Sequence, residues 1–124
     1  MIRACLAAAL ERAVSDVDLA VGPEARWFRV AGGERIELLR RRAVRLVLAR
    51  LVDHRLAHPG EALSIDALFA AGWPGERASE SSARNRVHVT LTRLKDLGLR
   101  SLLVSRDDGV LIAVGARVLR DPQA

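Results

Sequence analysis

The apolar positions of the chain change period three times, and each change marks an element. Over residues 2–14, Ile2, Leu6, Leu10 and Val14 recur every four positions, the stripe of an amphipathic helix. The period then falls to two. Val17, Leu19 and Val21 alternate with Asp16, Asp18 and Ala20 until Gly22-Pro23 breaks the run. Trp27-Phe28-Arg29-Val30, closed by Gly32-Gly33, and Arg35-Ile36-Glu37-Leu38 form two further extended pieces. Three short runs with two turns between them predict an antiparallel meander.

Helical spacing returns from Arg40 to Ala57. Val44, Val47, Leu48, Leu51, Val52 and Leu56 form the expected buried stripe, and Arg41, Arg42, Arg45 and Arg50 fall mostly outside it. His58-Pro59-Gly60 stops this helix. Ser64 is a good N-cap for a second, shorter helix, with Asp66 in the first turn and Ile65, Leu68 and Phe69 turned inward. Gly72-Trp73-Pro74-Gly75 ends it. A third helix is expected from Ser79-Glu80 to Leu97, with Gly98 as its C-cap. Two β-prone runs, Leu102 to Ser105 and Val110 to Val114, then flank Arg106-Asp107-Asp108-Gly109, a hairpin signal built on an Asp-Gly turn. The reading is one domain over residues 16–119, an N-terminal helix at 1–15 before it and a free tail at 120–124 after it.

Composition narrows the function. The 124 residues, half of them apolar, suffice for one core. No apolar run approaches the roughly 18 residues that span a bilayer. The first ten residues begin like a signal peptide, but Glu11-Arg12 cut the apolar run short, so a cytoplasmic protein without membrane association is expected. Cys5 is the single cysteine, which leaves no disulfide framework and no cysteine zinc cluster. His54, His58 and His88 lack a ligand spacing, no nucleophile has a base in order, and the glycines form no phosphate-cradling loop after a strand. No metal, no cofactor and no catalytic residue are therefore expected.

Charge points elsewhere. Lys and Arg number 20 against 15 Asp and Glu, a net +5, and Lys95 is the one lysine. Arginine suits phosphate because its planar fork donates two parallel hydrogen bonds. Trp27, Phe28, Phe69 and Trp73 are the whole aromatic complement, too few for a sheet that stacks single-stranded bases. On a wheel of about 100° per residue, Val87, Leu91 and Leu94 share one face of the third helix, with Leu97 at its edge. The opposite face centres on Asn85, Val89, Thr92 and Asp96, with Arg86 and Arg93 on one shoulder and Arg84, His88 and Lys95 on the other. Such a face suits the major groove of duplex DNA, where its floor meets base edges and its shoulders meet phosphates. A solvated, arginine-rich surface helix has the same periodicity.

From Asp16 to Val114 the chain resembles the OmpR/PhoB-type winged-helix DNA-binding domain. The resemblance rests on the passage Glu34-Arg35-Ile36-Glu37-Leu38 into the first long helix and on Leu63-Ser64-Ile65-Asp66-Ala67-Leu68-Phe69-Ala70-Ala71-Gly72-Trp73. Its third part is Asn85-Arg86-Val87-His88-Val89-Thr90-Leu91-Thr92-Arg93-Leu94-Lys95, followed by the hairpin Val104 to Ile112. It implies an α+β winged helix with an N-terminal antiparallel meander, three helices and a C-terminal hairpin called the wing. It also implies that the third helix enters the major groove and the wing the adjacent minor groove, as in a transcription regulator. Carried over, Arg93 reads a base and Val89 packs on thymine methyls. Lys95, Thr92, Thr90 and Asn85 contact phosphates, and Arg106 enters the minor groove with Ser105 beside it. RNA polymerase or another regulator is an implied further partner.

The chain departs from that family in carrying Asn85, Thr90 and Thr92 where arginine or histidine is usual, and Val110 where an aromatic is usual. Asp107 and Asp108 add carboxylates beside Arg106. Residues 1–15 are expected to be too short for the receiver domain that precedes such modules. The apolar stripe of that N-terminal helix calls for cover, by its own domain or by a second copy in a homodimer. The departures leave a second function class open: a winged helix used for protein contact, whose arginines meet acidic partner surfaces and whose DNA contacts have been lost.

Overall fold

The structure, a computed structural model, describes residues 17–122. The expected N-terminal helix, with Cys5, and the last two residues lie outside them. The three extended runs pair as an antiparallel meander of β1 (Leu19–Val21), β2 (Trp27–Val30) and β3 (Ile36–Glu37), with Leu19 opposite Val30 and Phe28 opposite Ile36. Leu19, Val21 and Phe28 enter the core, as alternation requires. Ala20, expected on the solvent side, is buried as well, in an inner strand flanked on both sides.

Three helices follow, α1 (Arg42–Ala57), α2 (Ile65–Gly72) and α3 (Glu80–Leu94), and they pack on one another. α1 buries Val47, Leu48, Leu51 and Val52, with Val44 partly covered. Each such side chain contributes about 1.5–3 kcal/mol by leaving water. Leu56, expected in this stripe, is 43 % exposed, because the last turn of α1 runs past the core. Its neighbour Arg55 instead donates hydrogen bonds to the carbonyl oxygens of Ala113, Val114 and Ala116, tying that turn to the loop beyond the hairpin. The Ser64 hydroxyl caps α2 by accepting the Ala67 N–H at 3.1 Å, as its sequence predicts. Phe69 and Trp73 stack along the helix end, with ring centroids 5.4 Å apart.

α3 is shorter than expected. After Leu94 the chain widens into a single π turn over Lys95–Leu99, in which Gly98 takes φ 127 and Leu99 returns to the core. Glycine is the residue that accepts this conformation at a helix end without strain. A hairpin of β4 (Leu103–Arg106) and β5 (Gly109–Ile112) follows, with Arg106 opposite Gly109. Its turn is therefore Asp107-Asp108, one residue earlier than the Asp-Gly signal suggests. Gly109 serves a different purpose. It has φ 142 and lies against the carbonyl of Leu63, where a Cβ would overlap the Leu63 oxygen. That approach lets Leu63 and Val110 exchange both backbone hydrogen bonds, at 2.8 and 2.9 Å, which fastens the hairpin to the segment leading into α2.

A sixth strand not expected from the sequence, β6 (Val118–Arg120), takes its last residue from the stretch read as a free tail; it pairs parallel with β1 and completes a four-stranded sheet in the order β3-β2-β1-β6. Asp18 accepts the Arg117 N–H at one end of this pairing, and the Asp121 N–H donates to Val21 at the other. Arg120 forms an ion pair with Asp53 of α1, a carboxylate that its place in the helix alone would leave to solvent. With three helices and two small sheets around one core, the described chain is α+β. No described helix is long and apolar enough to cross a membrane.

Candidate nucleic-acid interface

α3 begins at Ser79, whose hydroxyl accepts the Ser82 N–H at 3.2 Å, with Glu80 in the favourable first turn. Ala83, Val87, Thr90, Leu91 and Leu94 are its buried residues and fix its rotation about its own axis. The outward face follows from that rotation. Arg84, Asn85, His88, Val89, Thr92 and Arg93 are exposed, while Arg86 and Lys95 lie half-buried on the shoulders. Val89 is 55 % exposed on an otherwise polar face. An apolar side chain held in water this way has most to gain from an apolar partner.

Thr90 does not belong to this face. It is only 6 % exposed and sits in the inner stripe, so it offers little surface to a groove ligand. The wheel places it about 60° from Val87, on the core side. Its inclusion among phosphate contacts came from the family resemblance and not from the helix geometry.

The hairpin stands beside the first half of α3. Arg84 and His88, with Ser64 and Ile65 from the start of α2, face Ser105, Arg106, Asp107 and Asp108 across a cleft of about 390 Å³. Ser105 and Arg106 are exposed at the end of β4, so helix and hairpin contribute to one concave surface. Of the sequence-derived residues, the cleft brings together Arg84, His88, Ser105 and Arg106, while Asn85, Val89, Thr92 and Arg93 lie exposed on α3 outside its lining.

Carboxylates temper the charge of this surface. Arg84 meets Glu80 at 3.5 Å, one turn away on α3. Arg86 meets Glu76, in the loop before α3, at 3.2 Å. Arg106 is held at two points by Asp108, Nε to Oδ1 and Nη2 to Oδ2, both at 3.2 Å. Asp96, at the lower end of the outer face, pairs with Arg100 at 2.9 Å. Among the described residues, Arg93 and Lys95 have no ion-pair partner. The pairs of Arg84 with Glu80 and of Arg106 with Asp108 were visible as short spacings in the sequence. That of Arg86 with Glu76 was not, because it depends on how the loop folds back on the helix. All these pairs are exposed, and pairs of this kind contribute about 0–1 kcal/mol. They can be exchanged for a phosphate at small expense.

No group of three or more metal-ligating side chains comes together among the described residues. Comparison with protein-family models, with curated protein sequences and with solved structures found no match to this chain.

Proposed function

We propose that this chain is a winged-helix module that binds duplex DNA sequence-specifically as a transcription regulator, with α3 in the major groove and the β4–β5 hairpin on the flanking minor groove. The observation that carries the reading is the outward face of α3. Exposed Val89 lies among Asn85, Thr92 and Arg93, which has no ion-pair partner among the described residues, with Arg84 and His88 continuing toward the hairpin. An apolar centre between hydrogen-bonding and cationic side chains matches the chemistry of a major-groove edge, where thymine methyls alternate with base acceptors. In this reading Arg93 addresses a base, and Lys95, Thr92 and Asn85 address phosphates. Ser105 and Arg106 reach the minor groove. The order of meander, three helices and hairpin supports the winged-helix assignment.

Fluorescence anisotropy of a random-sequence duplex, titrated at low and at physiological salt, tests the reading. Micromolar binding that weakens steeply with salt is expected, because each phosphate contact releases counterions. Absence of binding at low salt would remove duplex DNA as the ligand.

One observation favours a second reading. Arg84, Arg86 and Arg106 already carry carboxylate partners, and among the described residues Arg93 and Lys95 are the cations of the α3 surface without one. A protein partner with an acidic and apolar surface needs fewer free cations than a DNA backbone does. Capture of such a partner together with silence toward duplex DNA would select this reading.

A further inference from the structure

The Arg106–Asp108 pair differs from the other ion pairs of the surface. The carboxylate spans the guanidinium side-on with two parallel contacts of 3.2 Å, the geometry in which arginine takes a phosphate. Arg84 and Arg86 have single contacts with their partners. The hairpin that presents the pair is fastened next to its turn. Leu63 and Val110 exchange both backbone hydrogen bonds, and the close approach of Gly109 to Leu63 leaves the backbone there no slack. Freedom at the tip therefore lies in side chains. Asp107 lines the same cleft with the same charge but makes no hydrogen bond or ion pair with Arg106.

The geometry points to Asp108 as a built-in competitor for the Arg106 fork, a residue that sets the specificity of the hairpin. It holds the guanidinium until an anion of higher local potential displaces it. On duplex DNA that anion is the phosphate wall of a narrow minor groove, where negative potential is concentrated. An ordinary groove recovers less energy from the exchange, so the hairpin engages according to DNA shape while α3 reads bases. This inference rests on the DNA-binding reading. Asp108 acts here through Arg106 and is a positioning residue, which distinguishes it from Asp107, whose charge acts only at a distance.

A double-mutant cycle tests it. Wild type, Asp108→Asn and Asp107→Asn are titrated, each with and without Arg106→Gln, by anisotropy on an A-tract duplex and on a mixed-sequence duplex of equal length. Asparagine keeps the size and turn preference of aspartate, and a thermal melt of each variant confirms that the hairpin stays folded. Asp108→Asn is expected to tighten binding to the mixed duplex by up to about fivefold more than Asp107→Asn does, the upper limit for an exposed pair. It should also shrink the preference for the A-tract. In the Arg106→Gln background the two substitutions should become equal. Equal effects of Asp107→Asn and Asp108→Asn with Arg106 intact would overturn the competitor role while leaving DNA binding in place. Failure of wild type and every variant to bind either duplex at low salt would overturn both inferences together.

Discussion

The two halves of α3 present their charges in opposite ways. In the first half Arg84 and Arg86 are each engaged by a glutamate, Glu80 on the helix and Glu76 in the loop before it. In the second half, with the turn that follows, Arg93 and Lys95 have no such partner among the described residues, and Val89 projects between the two regions. An arginine that exchanges a carboxylate for a phosphate gains only the difference between two similar contacts. One that exchanges water gains the whole charge-assisted bond. On the proposed reading, most of the affinity for DNA should therefore originate in the second half, with the first half adding orientation.

Six substitutions break or sharpen this comparison. The largest effect is expected from Leu94→Ala, which empties a fully buried site beneath the second half. It should cost about 2–5 kcal/mol of stability, read from the denaturation midpoint, and loosen the anchoring of Arg93 before that of Arg84. Next is Arg93→Ala, with a loss of about 1–3 kcal/mol in DNA binding that is concentrated at one base pair. Titration against a set of single-base variants shows this; a uniform loss on every sequence would make Arg93 a phosphate contact. Arg86→Ala should cost less, under about 1 kcal/mol, because Glu76 already neutralises it, and Glu76→Gln should tighten binding by a similar amount. Equal losses for Arg86→Ala and Arg93→Ala would erase the distinction between the halves. The last comparison separates two threonines. Thr92→Val should lower DNA affinity by roughly 0.5–1.5 kcal/mol, whereas Thr90→Val should leave affinity unchanged and alter only the melt. A binding loss at Thr90 with an unaltered melt would contradict its inward placement.

Much of the fold was legible because its signals are local. Alternation in Leu19 to Val21 and Trp27 to Val30, the Ser64 and Ser79 caps and Gly98 at the helix end all act within a few residues of themselves. What the sequence hid depends on distant partners. β6 has only three residues and acquires meaning from β1, with the Asp18–Arg117 contact spanning 99 positions. Gly109 reads as a turn residue until Leu63 is brought against it. Leu56 keeps the helical period but outlasts the core that the period serves. For the candidate site, the wheel identified the outward face from periodicity alone. Thr90 entered the site only by analogy with the family and leaves it on burial. The Glu76–Arg86 pair had no local signal, since the glutamate lies in a loop ten residues away.

The strand that closes the sheet also bears on how the chain reaches its folded state. α1, α2 and α3 pack through neighbours in sequence, and such contacts form quickly, whereas β1 must await a partner from the far end of the domain. Until Val118–Arg120 arrive, one flank of β1 offers unpaired N–H and C=O groups, a template on which a strand from another chain can add. The three residues of β6 cover that flank. Arg120, drawn to Asp53, ends the new edge on a charge that discourages further strands. A three-residue strand that the sequence does not announce thus closes an edge on which another chain could add.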